Sequence, residues 1–330
     1  MFVVISNGAV IENLTVSGNI SSKWHTGGIA GGINNSQSAT IRRCINKANI
    51  IGYNSAGGIV GFSDVSNLTS NITIENCNNY GNVTITGGGY EYTGAGGISG
   101  AGGKQIINCN NYGNINGVYT MGGIVGYIAV QNAEIINCIN KGNVDTGATQ
   151  KTAGGIAGCN ARKLLIRNCI NIGSVTGAGD KGGIIASSRG TSWQAEVELS
   201  IENCINVGNV KATSNQSGGI IGSQGTTAIT SYLYIKNSSN LGKVEASKNG
   251  NILGMVWTST STETKTEFEN VYCEGTAIGT GTLTSGDAIQ KTESEMKRQS
   301  FIDLLNSNIG TNADWKRWKL GKDGYPTFEE

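Results

Sequence analysis

IENCINVGNV, residues 201–210, decides how this chain folds, because near-copies of it recur above and below. IENCNNYGNV stands at 74–83, IINCINKGNV at 135–144 and IRNCINIGSV at 166–175. Anchored on the cysteine, the copies fall at Cys44, Cys77, Cys109, Cys138, Cys169 and Cys204, spaced by 33, 32, 29, 31 and 35 residues. Leu14 fills the slot before them, and Ser238 and Val271 fill it after them. Nine units of about 32 residues therefore cover 1–275. A second motif follows all but the last: GGIAG at 27–31, GGIVG at 57–61, and so on to a degraded GNILG at 250–254.

Each unit holds three short strand-like pieces. One leads into the Ile before the Asn-Cys pair, one runs from the Cys to the Val of GNV, and one centres on GGI. Gly and Asn punctuate all three, and none is long enough for a helix. So small a unit cannot bury an apolar face alone, so neighbours must stack. The expected fold is all-β: a right-handed parallel β-helix of about nine rungs, three short strands per rung, with a small C-terminal helical cap. The hand follows from the preference of parallel crossovers. The expected domains are 1–275 for the solenoid and 276–330 for a capping segment.

Within the motif, the Ile and Val point inward. The first Asn bends the chain, since Asn tolerates left-handed backbone angles, and its amide can bond the same Asn one rung away. The Cys slot accepts Leu, Ser and Val as well, so it asks for a small, mostly apolar side chain, as a buried free Cys is. Zinc wants four tetrahedral ligands, whereas a ladder files sulfurs in a line, so no metal is expected. Disulfides are permitted by distance, but in-register neighbours point their Cβ atoms the same way. Cys159 and Cys273 lie off the ladder.

Composition narrows the function. The chain has 330 residues with 51 Gly, 1 Pro, 14% charged residues and a net charge of +1. That balance gives no electrostatic reason to expect nucleic acid or an anionic membrane as partner. No apolar run reaches the roughly 20 residues of a membrane span. The opening MFVVISNGAV lacks a basic stretch and a cleavage site and reads as the start of a strand, as expected of a segment with flanking domains in a longer chain.

The alternation of Gly-Gly-Ile-x-Gly with Ile-x-Asn-Cys-x-Asn-x-Gly-Asn-Val resembles the GLUG-type repeats of bacterial cell-surface proteins. Such repeats also occur in non-catalytic regions of immunoglobulin-A-cleaving metallopeptidases. The tail, KTESEMKRQSFIDLLN and then DWKRWKLGKDGYPTFEE, is similar to end segments that follow such solenoids. The resemblance implies an extracellular, surface-attached bacterial protein, and no catalytic residue carries over from it.

In the tail, Thr292 and Glu295 make a capping box for a helix near 293–306. Its apolar side, with Trp315, Trp318, Tyr325 and Phe328, is expected to cover the open end of the rod, whose unpaired strand edges would otherwise template aggregation.

Catalytic groups are sparse. His25 is the only histidine, which excludes a His-Glu-x-x-His peptidase within these residues. Glycoside hydrolysis needs two carboxyls about 5 to 9.5 Å apart. The outward slot after the first Ile runs Glu12, Arg42, Glu75, Ile107, Ile136, Arg167, Glu202, Lys236 and Glu269, with no adjacent acids. The best pair is Glu196 and Glu198, outward on one strand and roughly 7 Å apart, with Tyr232, Tyr234, Lys265 and Glu267 on the following rungs. No cofactor is implied.

The segments between GNV and GGI lie side by side along one edge. The first four carry Trp24, His25, Tyr53, Tyr90, Tyr92 and Tyr119, and the rest carry no aromatic. Aromatic faces backed by small polar residues suit sugars and peptides, so these six residues are the candidate ligand-binding set, for a host glycan or extracellular protein. The bland alternative is that each ring covers its own glycine-rich backbone. A further column reads Lys47, Tyr80, Tyr112, Lys141, Ile172, Val207 and Leu241. Alternation puts it outside, so the apolar run either has a covering segment or partner, or a turn at the second Asn shifts the assignment. Two functions follow: a non-enzymatic surface module, stiff spacer and adhesin, or a carbohydrate-active β-helix enzyme.

Overall fold

The asparagine before each cysteine slot sits at φ between 42° and 58°, at Asn13, Asn76, Asn108, Asn137, Asn168, Asn203, Asn237 and Asn270, with Arg43 at 52°. This left-handed residue is the corner from which the rest of each rung is hung. A computed structural model describes residues 2–5, 8–33, 38–63, 71–87, 93–149, 151–189, 196–225, 229–258 and 262–329. They form a parallel β-solenoid with four sheets along its length, of 17, 8, 8 and 10 strands. The two eight-stranded sheets count eight complete turns, while the left-handed corner recurs nine times.

One turn shows the plan. Ser38–Arg42 and Ile45–Asn46 lie in the first sheet, Asn49–Gly52 in the second, Ser55–Gly57 in the third and Val60–Ser63 in the fourth. Five short strands thus replace the three pieces visible in the sequence. The second piece is split because the Asn46 side chain folds onto its own backbone. Its Nδ2 donates to the Ala48 carbonyl at 2.8 Å, and its Oδ1 accepts from Ala48 N at 3.1 Å. The third is split between the two glycines and the residue after Ile. Register is strict: Ile74 stands between Ile41 and Ile106, and Asn140 between Asn111 and Asn171.

The interior is a set of columns. Ile29, Ile59, Ile98, Ile124, Ile156, Ile184, Ile220 and Ile252 are all fully buried, each worth about 2 kcal/mol of apolar burial. Beside them run the thiols Cys44 to Cys204 in register, buried and free. Each bonds weakly to a carbonyl of the preceding rung, as Cys109 Sγ does to Ile74 O at 3.5 Å.

A second ladder, buried and polar, stands where sequence reading placed nothing. Asn46, Asn79, Asn111, Asn140, Asn171, Asn206 and Asn240 are at most 3% exposed. Each amide donates to a carbonyl two residues on at 2.8 Å, and all but that of Asn240 donate also to the next Oδ1 at 2.7–2.8 Å. Full satisfaction is what makes burial of these amides tolerable. Val16 pairs with Asn46 at one end of the column. At the other stands Cys273, one residue past the Ser239–Tyr272 pair, so this cysteine has a place in the columns after all. The ladder also explains the second glycine of each GG pair: a Cβ on Gly155 would lie 2.2 Å from Asn171 Cγ and 2.1 Å from the Gly183 carbonyl oxygen.

The C-terminal segment departs from expectation. Residues 276–290 add strands Ile278–Thr280 and Ala288–Gln290, and Ala277, Ile278 and Leu283 close the end of the core. The helices do not cover that end. The helical stretch divides into α1, Glu293–Met296, and α2, Gln299–Ile309, and both lie along the side of the rod. Met296, Phe301, Ile302, Leu305, Ile309 and Trp318 pack there on Ile170, Ile205, Leu241 and Tyr272. The reason is the outward apolar column: Val207 and Leu241 need cover, and the tail supplies it. The capping box at Thr292 is formed as expected, with Glu295 N on Thr292 Oγ1 at 3.3 Å and Thr292 N on Glu295 Oε2 at 2.8 Å.

Candidate functional site

The segments between GNV and GGI are shorter corners than the sequence suggests, because most of each is strand. In the first two turns only Lys23-Trp24 and Tyr53-Asn54 remain between Asn19–Ser22 and His25–Gly27, and between Asn49–Gly52 and Ser55–Gly57. Strand pairing of Ser22 with Gly52 and of His25 with Ser55 stacks these corners directly. Trp24 and Tyr53 are 62% and 50% exposed, and with Lys23 and Asn54 they line a cavity of about 370 Å³. The face of Tyr53 is backed by Gly87, where a Cβ would lie 2.2 Å from the ring.

Asn54, which also lines the cavity, is 2% exposed, and its Oδ1 is buried with no hydrogen-bond partner among the described residues. Two exposed aromatic side chains beside small polar residues, on a rigid scaffold, suit a small ring bearing hydroxyl groups. The adjoining Ser55 Oγ and Thr26 Oγ1 are likewise buried without partners.

The other members of the sequence-derived set go elsewhere. His25 turns away from Trp24 and stacks on Phe62, centroids 4.3 Å apart at 17°. Burial pushes its pKa below the usual value, so it is neutral at pH 7. Tyr119 packs half-buried against the interior cluster, with Lys151 Nζ 5.3 Å from its ring. Tyr90 and Tyr92 lie outside the described residues.

Glu196 and Glu198 stand outward on Glu196–Glu202 as alternation requires, with Val197, Leu199 and Ile201 buried. Glu198 is held by Lys163 at 2.9 Å, and Glu267, two rungs on, by Lys265 at 2.9 Å. Lys265 is the main reason the Glu267 carboxyl titrates below its usual range. A general acid needs the opposite shift. Among the described residues, no three His, Cys, Asp or Glu side chains gather as a metal site, and no helix is long and apolar enough to cross a membrane.

Sequence reading missed the ring pair Tyr80 and Tyr112 as a structural unit. Their centroids are 4.6 Å apart at 6°, and Lys141 Nζ sits 5.1 Å from the Tyr112 centroid. Stacking covers one face of each ring, and Lys141 stands over Tyr112 as well.

No family model matches the chain, and no curated protein does. A solved structure of a candidate immunoglobulin A1 protease from Bacteroides ovatus is similar to it, with 20% sequence identity and a TM-score of 0.44 over 97% of this chain and 75% of that one. A likeness at that level assigns neither activity nor substrate.

Proposed function

We propose that this chain is a non-enzymatic module of a bacterial extracellular protein, a stiff spacer that also binds a glycan unit at the Trp24–Tyr53 corner. The observation that carries the binding reading is the pair of exposed rings Trp24 and Tyr53, which stand on successive turns and line one cavity of about 370 Å³. A sugar ring would lie against Trp24 or Tyr53. The spacer reading rests on the in-register sheets, and the surface reading on the resemblance of the repeat to GLUG-type repeats.

The test is a glycan array with the purified chain, followed by calorimetry on the best hit. Trp24→Ala and Tyr53→Ala should each weaken binding about tenfold or more at an unchanged melting temperature. Binding that survives both substitutions places the ligand elsewhere, and an array with no hits leaves the chain a spacer alone.

A further inference from the structure

The outer asparagine ladder, built from the left-handed corners, holds the C-terminal segment. Asn168, Asn203 and Asn237 each give one amide hydrogen to the ladder, at 3.0, 2.7 and 2.8 Å. The same amides also donate to backbone carbonyls of the tail: Asp314 at 2.9 Å, Lys316 at 2.9 Å and Leu305 at 3.2 Å. The Oδ1 atoms of Asn168 and Asn203 take a second donor from the tail as well, Lys316 N at 3.1 Å and Trp318 Nε1 at 2.6 Å, and that of Asn237 accepts from Asn308 Nδ2 at 3.0 Å. Between Asp314 and Lys316 the tail advances two residues while the ladder advances one rung. The rod therefore already contains a working peptide-binding strip.

The strip does not stop where the tail ends. It runs on through Asn137, Asn108 and Asn76 with the same ladder bonds, 2.9 and 3.3 Å. Here each asparagine keeps a spare amide hydrogen and a spare lone pair, with no other side-chain hydrogen bond among the described residues. The flanks change character. Beside the occupied strip stand Arg167, which pairs with Asp314 at 2.9 Å, and Glu202, which accepts from Trp315 Nε1 at 3.1 Å. The same slot beside the open strip holds Ile107 and Ile136, both half-buried, beside Asn108 and Asn137, and Glu75 beside Asn76. On the far side of the cysteine column stand Asn78, Asn110 and Ile139, with Asn110 Nδ2 donating to Asn78 Oδ1 at 3.0 Å.

We infer that the strip Asn76–Asn108–Asn137 is a docking site for a non-helical polypeptide segment of a partner protein, one carrying apolar or aromatic side chains. The ladder amides hold its backbone as they hold Asp314 and Lys316, and Ile107 and Ile136 take apolar side chains where Arg167 and Glu202 take Asp314 and Trp315. Continuity with the internal interface fixes the mode of binding, and the apolar flank fixes the side-chain class. Pairing through alternate carbonyls gives affinity with little sequence demand, as in strand addition.

The probe is a fluorescent synthetic peptide of residues 312–320, NADWKRWKL, beside an analogue in which Asp314→Leu matches the apolar flank. Fluorescence anisotropy with the full chain should show the analogue binding more tightly than the parent peptide. Asn108→Ala should weaken analogue binding about tenfold, the loss expected for two hydrogen bonds. Because Asn108→Ala interrupts the ladder and can disturb the rung, Ile107→Lys serves as a second variant: it should weaken analogue binding at an unchanged melting temperature. The inference is overturned by no binding of either peptide at ~1 mM, by binding that survives both variants, or by binding lost only in Asn203→Ala. That last result would mean that the peptide merely displaces the chain's own tail.

Discussion

A single methyl group is enough to test the asparagine and glycine columns. Gly155→Ala would drive a Cβ against the Gly183 carbonyl and Asn171; a loss of several kcal/mol of stability is expected, or no soluble protein, where the same change at an unconstrained glycine would gain about 0.4–1 kcal/mol. Urea unfolding measures it. Lys181 gives a pH test. It is fully buried in a core slot whose neighbours are Ala153 and Ser217, and its Nζ donates to the Lys151 and Gly179 carbonyls at 2.9 and 3.2 Å. Burial pushes its pKa from 10.5 down to about 7, against the pull of Asp180 and Asp145. Between those values the unfolded chain holds a proton that the folded chain does not. Stability should therefore rise from pH 7 toward pH 10.5, by at most ~1.4 kcal/mol per pH unit, and Lys181→Met should remove that slope. The thiols are a third case at this scale. The neighbouring Cys109 thiol leads in pushing Cys77 up to about 12, and burial holds Cys109, Cys138 and Cys169 well above the usual range. Native protein at pH 8 should leave these sulfurs unmodified by an aromatic disulfide reagent that titrates all eight after unfolding.

Elements differ in how far their sequence reveals them. The left-handed corner and the cysteine column were legible, because a repeated Asn before a small apolar slot has few other uses. The buried Asn46–Asn240 column was not, since Asn on a short strand reads as outward. The signal lay in the pairing of Cys-x-Asn with Gly-Gly in each turn, which makes sense only once the amide is seen against the glycine. The candidate corner was half legible as an arrangement: Trp24 and Tyr53 do line one cavity, but His25 and Tyr119 pack on other surfaces, because single-residue steps at a tight corner redirect side chains. The tail's helix could be read from its capping box, while its position could not, as it depends on contacts such as Trp318 Nε1 with Asn203, 115 residues apart in sequence. Trp318→Ala removes a side chain that is 1% exposed and should cost about 3–5 kcal/mol within the tail. The expected readout is selective loss of amide protection in α2, with the solenoid strands still protected.

Across the whole molecule, eight turns at about 4.8 Å give a rod of roughly 38 Å, and small-angle scattering should show that length unchanged by ligand at the Trp24–Tyr53 corner. Each rung touches its neighbours and little else, so stability is a sum of nearest-neighbour terms. The rod is finished differently at its two ends. Leu283 closes one, whereas at the other Phe2, Val3 and Val4 are 45%, 78% and 59% exposed.

The file of unpaired sulfurs sets a kinetic condition on maturation. Were the chain to mature in oxidising surroundings, as the proposed extracellular role requires, it would carry eight reactive thiols until its coils close, and any cross-link made early would lock two turns out of register. Such a setting would favour sequences that wind up quickly from adjacent segments, a race that short spacing between partners helps to win.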